Sequence, residues 1–144
     1  MNAFLDKYRD HGLLILRLGL GAMFMWHGLP KLLGGPELWA MVGGALGNFG
    51  VTFAPTFWGL LAALSEFGGG LLLILGLAVR PAALAMAGTM VVASTMHLAN
   101  GEGLKGASHA IEVGIVFVAL IFIGAGRFSL DARRGAAREL SPAA

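Results

Sequence analysis

Cysteine is absent from the 144 residues of this chain. Disulfides, zinc–thiolate sites and cysteine-ligated iron–sulfur clusters are therefore excluded, as is thiol–disulfide exchange by the protein's own side chains. A redox role would depend on an imported cofactor, a quinone or a partner protein.

Charged residues are also scarce, at 12% of the chain against 57% hydrophobic residues. A soluble domain of this length needs more polar residues to cover its core, and its mean hydropathy lies well below the +0.78 of this chain. The Lys and Arg residues are few and dispersed, which is atypical of a nucleic-acid-binding surface. The composition indicates a protein whose partner is the lipid bilayer and not a nucleic acid.

The chain contains four long apolar segments. They lie at about residues 12–33, 57–79, 82–99 and 107–125. A helix that crosses the hydrocarbon core needs roughly 20 mainly apolar residues. The prediction is an all-α membrane protein with four transmembrane helices in an antiparallel bundle. Residues 1–131 form the predicted transmembrane domain, and residues 132–144 form a short cytoplasmic C-terminal tail.

The connection between the first two segments, residues 34–56, carries a helix signal of its own. Pro36 and Glu37 suit the first turn of a helix, and apolar residues follow them. Trp39 and Trp58 are typical of the headgroup region of a membrane. We predict a short helix on the outer surface between the first and second spans.

Basic residues are distributed unequally between the two ends of this predicted bundle. The outer end has only Lys31 and Lys105. The opposite end carries Lys7, Arg9, Arg80, Arg127, Arg133, Arg134 and Arg138. The positive-inside rule places the more basic end, and with it both chain termini, in the cytoplasm.

Two ionisable residues lie deep within the apolar segments. Glu66 is near the middle of the second segment, and Arg17 is in the inner half of the first. A charge at this depth costs on the order of 2.5–3.5 kcal/mol, so such residues usually face a bundle interior and have a partner. We predict that Arg17 and Glu66 form a buried ion pair, with a proton site at Glu66 as the alternative.

A second group of polar residues is predicted in the outer half of the bundle. Its members are His27, Lys31, His97, His109 and Glu112. His27 and Lys31 are four residues apart, and His109 and Glu112 are three apart, so each pair shares a helix face. The group would line an outer pocket for a quinone carbonyl or a haem, or would relay protons. The alternative is that each residue is solvated at a helix end. Dense ligand spacing such as H-E-x-x-H is missing, so no metal site is predicted.

The order and spacing of several short stretches resemble proteins of the DoxX family. The stretches are residues 16–19 (LRLG), 26–32 (WHGLPKL), 66–70 (EFGGG), 75–77 (LGL), 80–83 (RPAA) and 124–131 (GAGRFSLD). The resemblance covers most of the chain and departs at Ala125, where proline is common in the family. It implies a four-helix, multi-pass protein of the bacterial inner (plasma) membrane.

For function, the resemblance implies a loose association with quinone-linked sulfur oxidation. The leading hypothesis is a redox-associated membrane subunit that works with a quinone or a soluble partner oxidoreductase; haem is the less favoured cofactor. One alternative is a non-catalytic membrane anchor or assembly module for a soluble partner. Another is a small-solute or proton pathway, which would require a homo-oligomer because four helices leave little room for a pore. Whether the chain is an enzyme stays open.

Overall fold

The computed structural model describes residues 7–139, and they are helical almost throughout. The elements are α1 (Arg9–Leu33), α2 (Gly35–Gly43), a 3-10 turn (Gly44–Phe49), α3 (Pro55–Leu75), α4 (Val79–Ala99), α5 (Gly103–Ile123) and α6 (Leu130–Glu139). Helices α1, α3, α4 and α5 are long and apolar enough to cross a membrane. The predicted all-α fold with four transmembrane helices is confirmed.

The predicted tail corresponds in part to α6, which begins at Leu130 and so crosses the boundary drawn between residues 131 and 132. Residues 140–144 of the tail lie outside the described residues, as do residues 1–6 of the predicted domain. The division into domain and tail therefore stays a prediction.

The four long helices run antiparallel, so their ends meet at two levels. The terminal end, as we call it, holds the start of α1, the turn between α3 and α4, and α6. The loop end holds α2 and the turn between α4 and α5. The basic residues predict that the terminal end faces the cytoplasm.

Glycines set the contact between α1 and α3. A Cβ on Gly21 would lie 2.6 Å from the carbonyl oxygen of Gly70, and a Cβ on Gly70 would lie 2.6 Å from that of Gly21. Two turns further along α1, a Cβ on Gly28 would lie 2.5 Å from the backbone nitrogen of Phe67. The two backbones therefore touch at two levels, and these contacts determine the register of α1 against α3.

Helix α3 is the centre of the packing, because α1, α2 and α4 all lie against it, while α5 packs on α4. Two phenylalanine rings close the remaining side of the bundle. Phe24 of α1 and Phe117 of α5 meet edge to face, with centroids 4.9 Å apart and planes at 75°. Both rings belong to the buried core, together with Leu73 and Met86.

The predicted helix between the first two spans is α2, which has Pro36 in its first turn. Gly59 of α3 has no space for a side chain, because the backbone carbonyl of Trp39 lies against its Cα. The indole Nε1 of Trp39 donates a hydrogen bond to the carbonyl oxygen of Lys31 at 2.8 Å. Helix α2 is therefore fixed to both α1 and α3 at the loop end.

Candidate functional site: an ion pair in a lateral groove

A buried carboxylate near the middle of α3 is paired with a lysine in the last turn of α1. Both oxygens of Glu66 lie 2.7 Å from Lys31 Nζ. The Glu66 side chain is 3% exposed, whereas that of Lys31 is 35% exposed. A Cβ on Gly28, one turn before Lys31, would lie 3.0 Å from Glu66 Cβ. The close approach of α1 and α3 therefore brings the lysine within reach of a carboxylate that the bilayer would not solvate.

The predicted ion pair between Arg17 and Glu66 is wrong, although both residues are buried. Antiparallel packing puts Gly28, not Arg17, at the depth of Glu66. The helical segment between Arg17 and Gly28 is about 16 Å long, because an α-helix rises 1.5 Å per residue. Glu66 takes Lys31 as its partner instead. A proton site at Glu66 stays a prediction.

Arg17 lies at the terminal end, where it binds backbone carbonyls. Its Nη1 donates to the carbonyl oxygen of Leu73 at 3.0 Å and its Nη2 to that of Phe128 at 2.5 Å. Leu73 belongs to the last turn of α3, where its carbonyl oxygen also accepts from the backbone nitrogen of Gly76 at 3.1 Å and lies at the negative end of the helix dipole. The guanidinium therefore connects α1 to the end of α3 and to the segment that leads into α6.

Asp131 of α6 makes further contacts at the terminal end, close to those of Arg17. Its carboxylate accepts hydrogen bonds from the backbone nitrogens of Ala78, the N-cap of α4, at 2.8 Å and of Val79, the first residue of α4, at 3.0 Å. Its own backbone nitrogen donates to the carbonyl oxygen of Gly76 at 2.9 Å. A carboxylate at a helix N-terminus satisfies free amides and complements the helix dipole. Asp131 thereby attaches α6 to the turn between α3 and α4.

The Lys31–Glu66 pair lines a cavity of about 920 Å³ between α3 and α4, named here the lateral groove. The groove extends from Pro81 at the terminal end to Leu46 and Met96 at the loop end. Most of its lining residues are glycine, alanine or larger aliphatic residues. Apolar walls of this length suit a hydrophobic chain, with the ion pair as a polar point part-way along.

Three further polar side chains line the groove. The hydroxyl of Thr89 on α4 donates to the hydroxyl of Ser65 on α3 at 3.2 Å. The indole Nε1 of Trp58 is buried and makes no hydrogen bond to any residue that the structure describes. Sequence reasoning missed these three as site residues. One feature of the sequence could have indicated Ser65: it directly precedes Glu66, the buried carboxylate.

The structure separates the other residues of the predicted outer pocket. Of the five, only Lys31 lines the lateral groove. His97 is at the loop end, where its Nδ1 lies 2.9 Å from a Glu102 carboxylate oxygen. His27, His109 and Glu112 are exposed on the surfaces of α1 and α5. A single pocket lined by all five residues is therefore not formed, and ligand binding by the histidines stays a prediction.

Hydrogen bonding changes the acidity of the carboxylate at the loop end. The pKa of Glu102 is lowered from its ordinary value, first by the hydrogen bond with His97 and further by one with Asn100. Among the side chains that the structure describes, no three of His, Asp or Glu converge in a way that could hold a metal ion.

Comparison with known proteins found a matching family and a sequence relative. The sequence model of the DoxX family matches residues 12–98, which include α2, α3 and nearly all of α1 and α4. The chain belongs to the DoxX family. An uncharacterised protein of Haemophilus influenzae is 34% identical over 133 residues, which cover 88% of this chain and 93% of that relative. No solved structure matches the chain significantly. The family match includes both members of the Lys31–Glu66 pair.

Proposed function

We propose that this DoxX-family protein is a redox-associated subunit of the bacterial inner membrane that binds a quinone in the lateral groove. The observation that carries the proposal is an ion pair between a buried carboxylate and a partly exposed lysine on the wall of a long apolar groove. A quinone combines two carbonyl acceptors with an apolar tail, and this combination matches the lining. Cavities of several hundred Å³ with few polar groups are typical of small-molecule sites.

Lys31 is the residue best suited to hold the quinone head group. Its ammonium has three donor hydrogens, and it remains partly exposed while Glu66 binds it. A quinone carbonyl would accept the one remaining hydrogen, and Glu66 would keep the ammonium in position. Ser65 precedes Glu66 on α3, and its hydroxyl is hydrogen-bonded to that of Thr89 on α4. Both hydroxyls therefore lie near the depth of Glu66. The apolar tail would follow the groove towards Pro81 at the terminal end.

Electron transfer would depend on a partner, because the chain has no cysteine to ligate an iron–sulfur cluster or to form a redox disulfide. A soluble oxidoreductase at the membrane surface would supply or accept the electrons. In this arrangement the chain contributes the quinone site and the membrane attachment.

The test is to measure quinone retained by the purified protein. The protein would be extracted in mild detergent, and quinones would be quantified by chromatography and mass spectrometry. We expect Lys31→Met to lower the quinone content about tenfold, the change that corresponds to loss of one charge-assisted hydrogen bond. Lys105→Met is the matched control, because Lys105 is exposed at the loop end outside the groove. Equal quinone content in wild type and Lys31→Met, or none in either, would contradict the proposal.

The localisation and orientation belong to the same proposal. The seven basic residues near the terminal end support a cytoplasmic location for both termini. Reporter fusions after residue 144 and within the turn between α4 and α5 would test this. Activity of a cytoplasmic reporter at the C-terminus and of a periplasmic reporter in the turn is expected, and the reverse pattern would overturn the orientation.

A membrane anchor for a soluble partner is the second candidate, and α6 favours it. Asp131 attaches this helix to the bundle, and Arg133 and Arg134 are exposed on it. A fixed basic helix at the membrane surface suits an acidic partner. If the anchor function is correct and the quinone proposal is not, charge reversal at Arg133 and Arg134 would release the partner, while Lys31→Met would have no effect on quinone content.

A further inference from the structure

A carboxylate on α5 is exposed at the middle of the bundle. Gly114 lies beside Met90 of α4, where an added Cβ would be 3.3 Å from Met90 Cβ. The residue before Met90, Thr89, is bonded to Ser65 near the middle of α3. Glu112 is two residues from Gly114, a rise of about 3 Å. Its exposed side chain therefore lies at a depth where the bilayer is hydrocarbon.

A histidine on α1 is exposed at the same depth. His27 precedes Gly28, whose Cα lies against the backbone of Phe67 and beside Glu66. His27 is exposed, like Glu112. A second exposed histidine, His109, lies one turn from Glu112 towards the loop end.

The three residues flank the same side of the bundle. Phe24 and Phe117 join α1 to α5. His27 follows Phe24 by three residues, and His109 precedes Phe117 by two helical turns, so each lies near the stripe that carries its phenylalanine. We name this surface, formed by His27, His109 and Glu112, the histidine face. It lies on the α1–α5 side, whereas the lateral groove lies between α3 and α4.

The histidine face is costly if lipid covers it. His27, His109 and Glu112 form no hydrogen bond or ion pair within the part of the chain that the structure describes. A charged side chain near the middle of a bilayer costs on the order of 2.5–3.5 kcal/mol, and a short glutamate near mid-membrane reaches the headgroups poorly. A protein surface at this position would remove the cost.

We propose that the histidine face is the interface of a homodimer. A two-fold axis along the membrane normal leaves every residue at its own depth. His27 of one copy would therefore face the partner's Glu112, while Glu112 would face the partner's His27. An acid and a base at equal depth on neighbouring helices are what such a self-complementary interface requires. The inference is independent of the proposed quinone site, because it concerns another face of the bundle.

The test exchanges the two charges between copies. His27→Glu alone would set Glu against Glu at both contacts, and Glu112→His alone would set His against His. We expect each single variant to dimerise about tenfold more weakly than wild type, the effect of losing interhelical hydrogen bonds in a membrane. Co-expression of the two variants with different tags should restore a mixed dimer, because both contacts are then complementary. Masses in lipid nanodiscs and co-purification through one tag provide the measurements.

Two controls make the result decisive. A chain with both His27→Glu and Glu112→His has complementary contacts again and should dimerise like wild type. Because the chain has no cysteine, a Met23→Cys chain co-expressed with an Ile115→Cys chain should form a disulfide between copies, since each exposed position lies one turn from His27 or Glu112 towards the terminal end. Met23→Cys paired with Leu64→Cys, which lies in the groove, should not. A monomeric wild type, single variants as dimeric as wild type, or a complex with a different protein in place of a second copy would overturn the proposal.

Discussion

The bundle buries two ionisable residues in different ways, at Arg17 and at Glu66. Arg17 is fully buried, and its hydrogen bonds go to backbone carbonyls at the end of α3 and before α6. Glu66 is almost as buried, but its partner is a side chain that is 35% exposed and lines a groove. Backbone partners at a helix end fix a structure in place, whereas a partly exposed side-chain partner leaves the site accessible. The first arrangement is structural, and the second can bind a ligand.

The largest effect is expected from removing Arg17. Arg17→Met would remove the guanidinium donors to the carbonyl oxygens of Leu73 and Phe128, leaving Leu73 with only the Gly76 backbone donor, and would remove a charge that interacts with Asp131. Hydrogen bonds that involve a charged group contribute about 1.5–3 kcal/mol each, so the loss of two should cost roughly 3–6 kcal/mol. Thermal unfolding in detergent should show a large decrease in Tm. Arg9→Met, a change at an exposed arginine of the same helix, should leave Tm nearly unchanged. Equal Tm values for the two variants would remove the proposed structural role of Arg17.

A smaller effect is expected at the groove. Lys31→Met and Glu66→Gln should each destabilise the protein, and the double variant should cost less than the sum by about 1–2 kcal/mol, because the two side chains are in contact. The loss is smaller than for Arg17 because a lysine that is 35% exposed can turn towards water and Glu66 can take a proton.

The matched control for this cycle combines Arg17→Met with Glu66→Gln. These residues do not share a contact in the structure, so their effects on unfolding free energy should add. Coupling between Arg17 and Glu66 as strong as that between Lys31 and Glu66 would refute the pairing described above.

The outcome at Glu66 shows which features a sequence pattern can predict. Four spans follow from segment length and hydropathy, and the burial of Glu66 follows from its position in the middle of a span. Its partner depends on how far α1 slides along α3. That register is set by backbone contacts at Gly21 and Gly28, and glycines scattered through an apolar run give no indication of which of them will touch a neighbour.

The sequence gives even less indication of the lateral groove than of the partner of Glu66. Its width depends on the separation of α3 from α4 and on where the 3-10 turn lies, and both are results of tertiary packing. The outer polar group was predicted as one pocket because its members have similar depth. Depth alone does not determine direction: Lys31 points into the groove, while His27, only one turn earlier on α1, is exposed.

At the terminal end, we expect a loss of stability of intermediate size when the attachment of α6 is weakened. Asp131→Ala removes the acceptor for the first amides of α4 and should cost about 1 kcal/mol, as for loss of other helix caps. Amide hydrogen exchange at Ala78 and Val79 should become faster. Asp131→Asn retains an acceptor oxygen and should protect these amides better than alanine does. Unchanged exchange in Asp131→Ala would show that the cap does not hold this turn.

The smallest effect is expected at the exposed His97–Glu102 pair, which contrasts with the buried Lys31–Glu66 pair. The pKa of Glu102 is below its ordinary value of 4.5, mainly because of the hydrogen bond with His97. A carboxylate with a lowered folded-state pKa stabilises the fold fully above its unfolded pKa, and this contribution is lost as pH falls through the folded value.

Carboxyl NMR titration of wild type and His97→Ala would measure the change in the pKa of Glu102, and the variant should titrate nearer to 4.5. Because the pair is exposed, the Tm should change little. An identical titration in both proteins would show that His97 does not lower the pKa of Glu102.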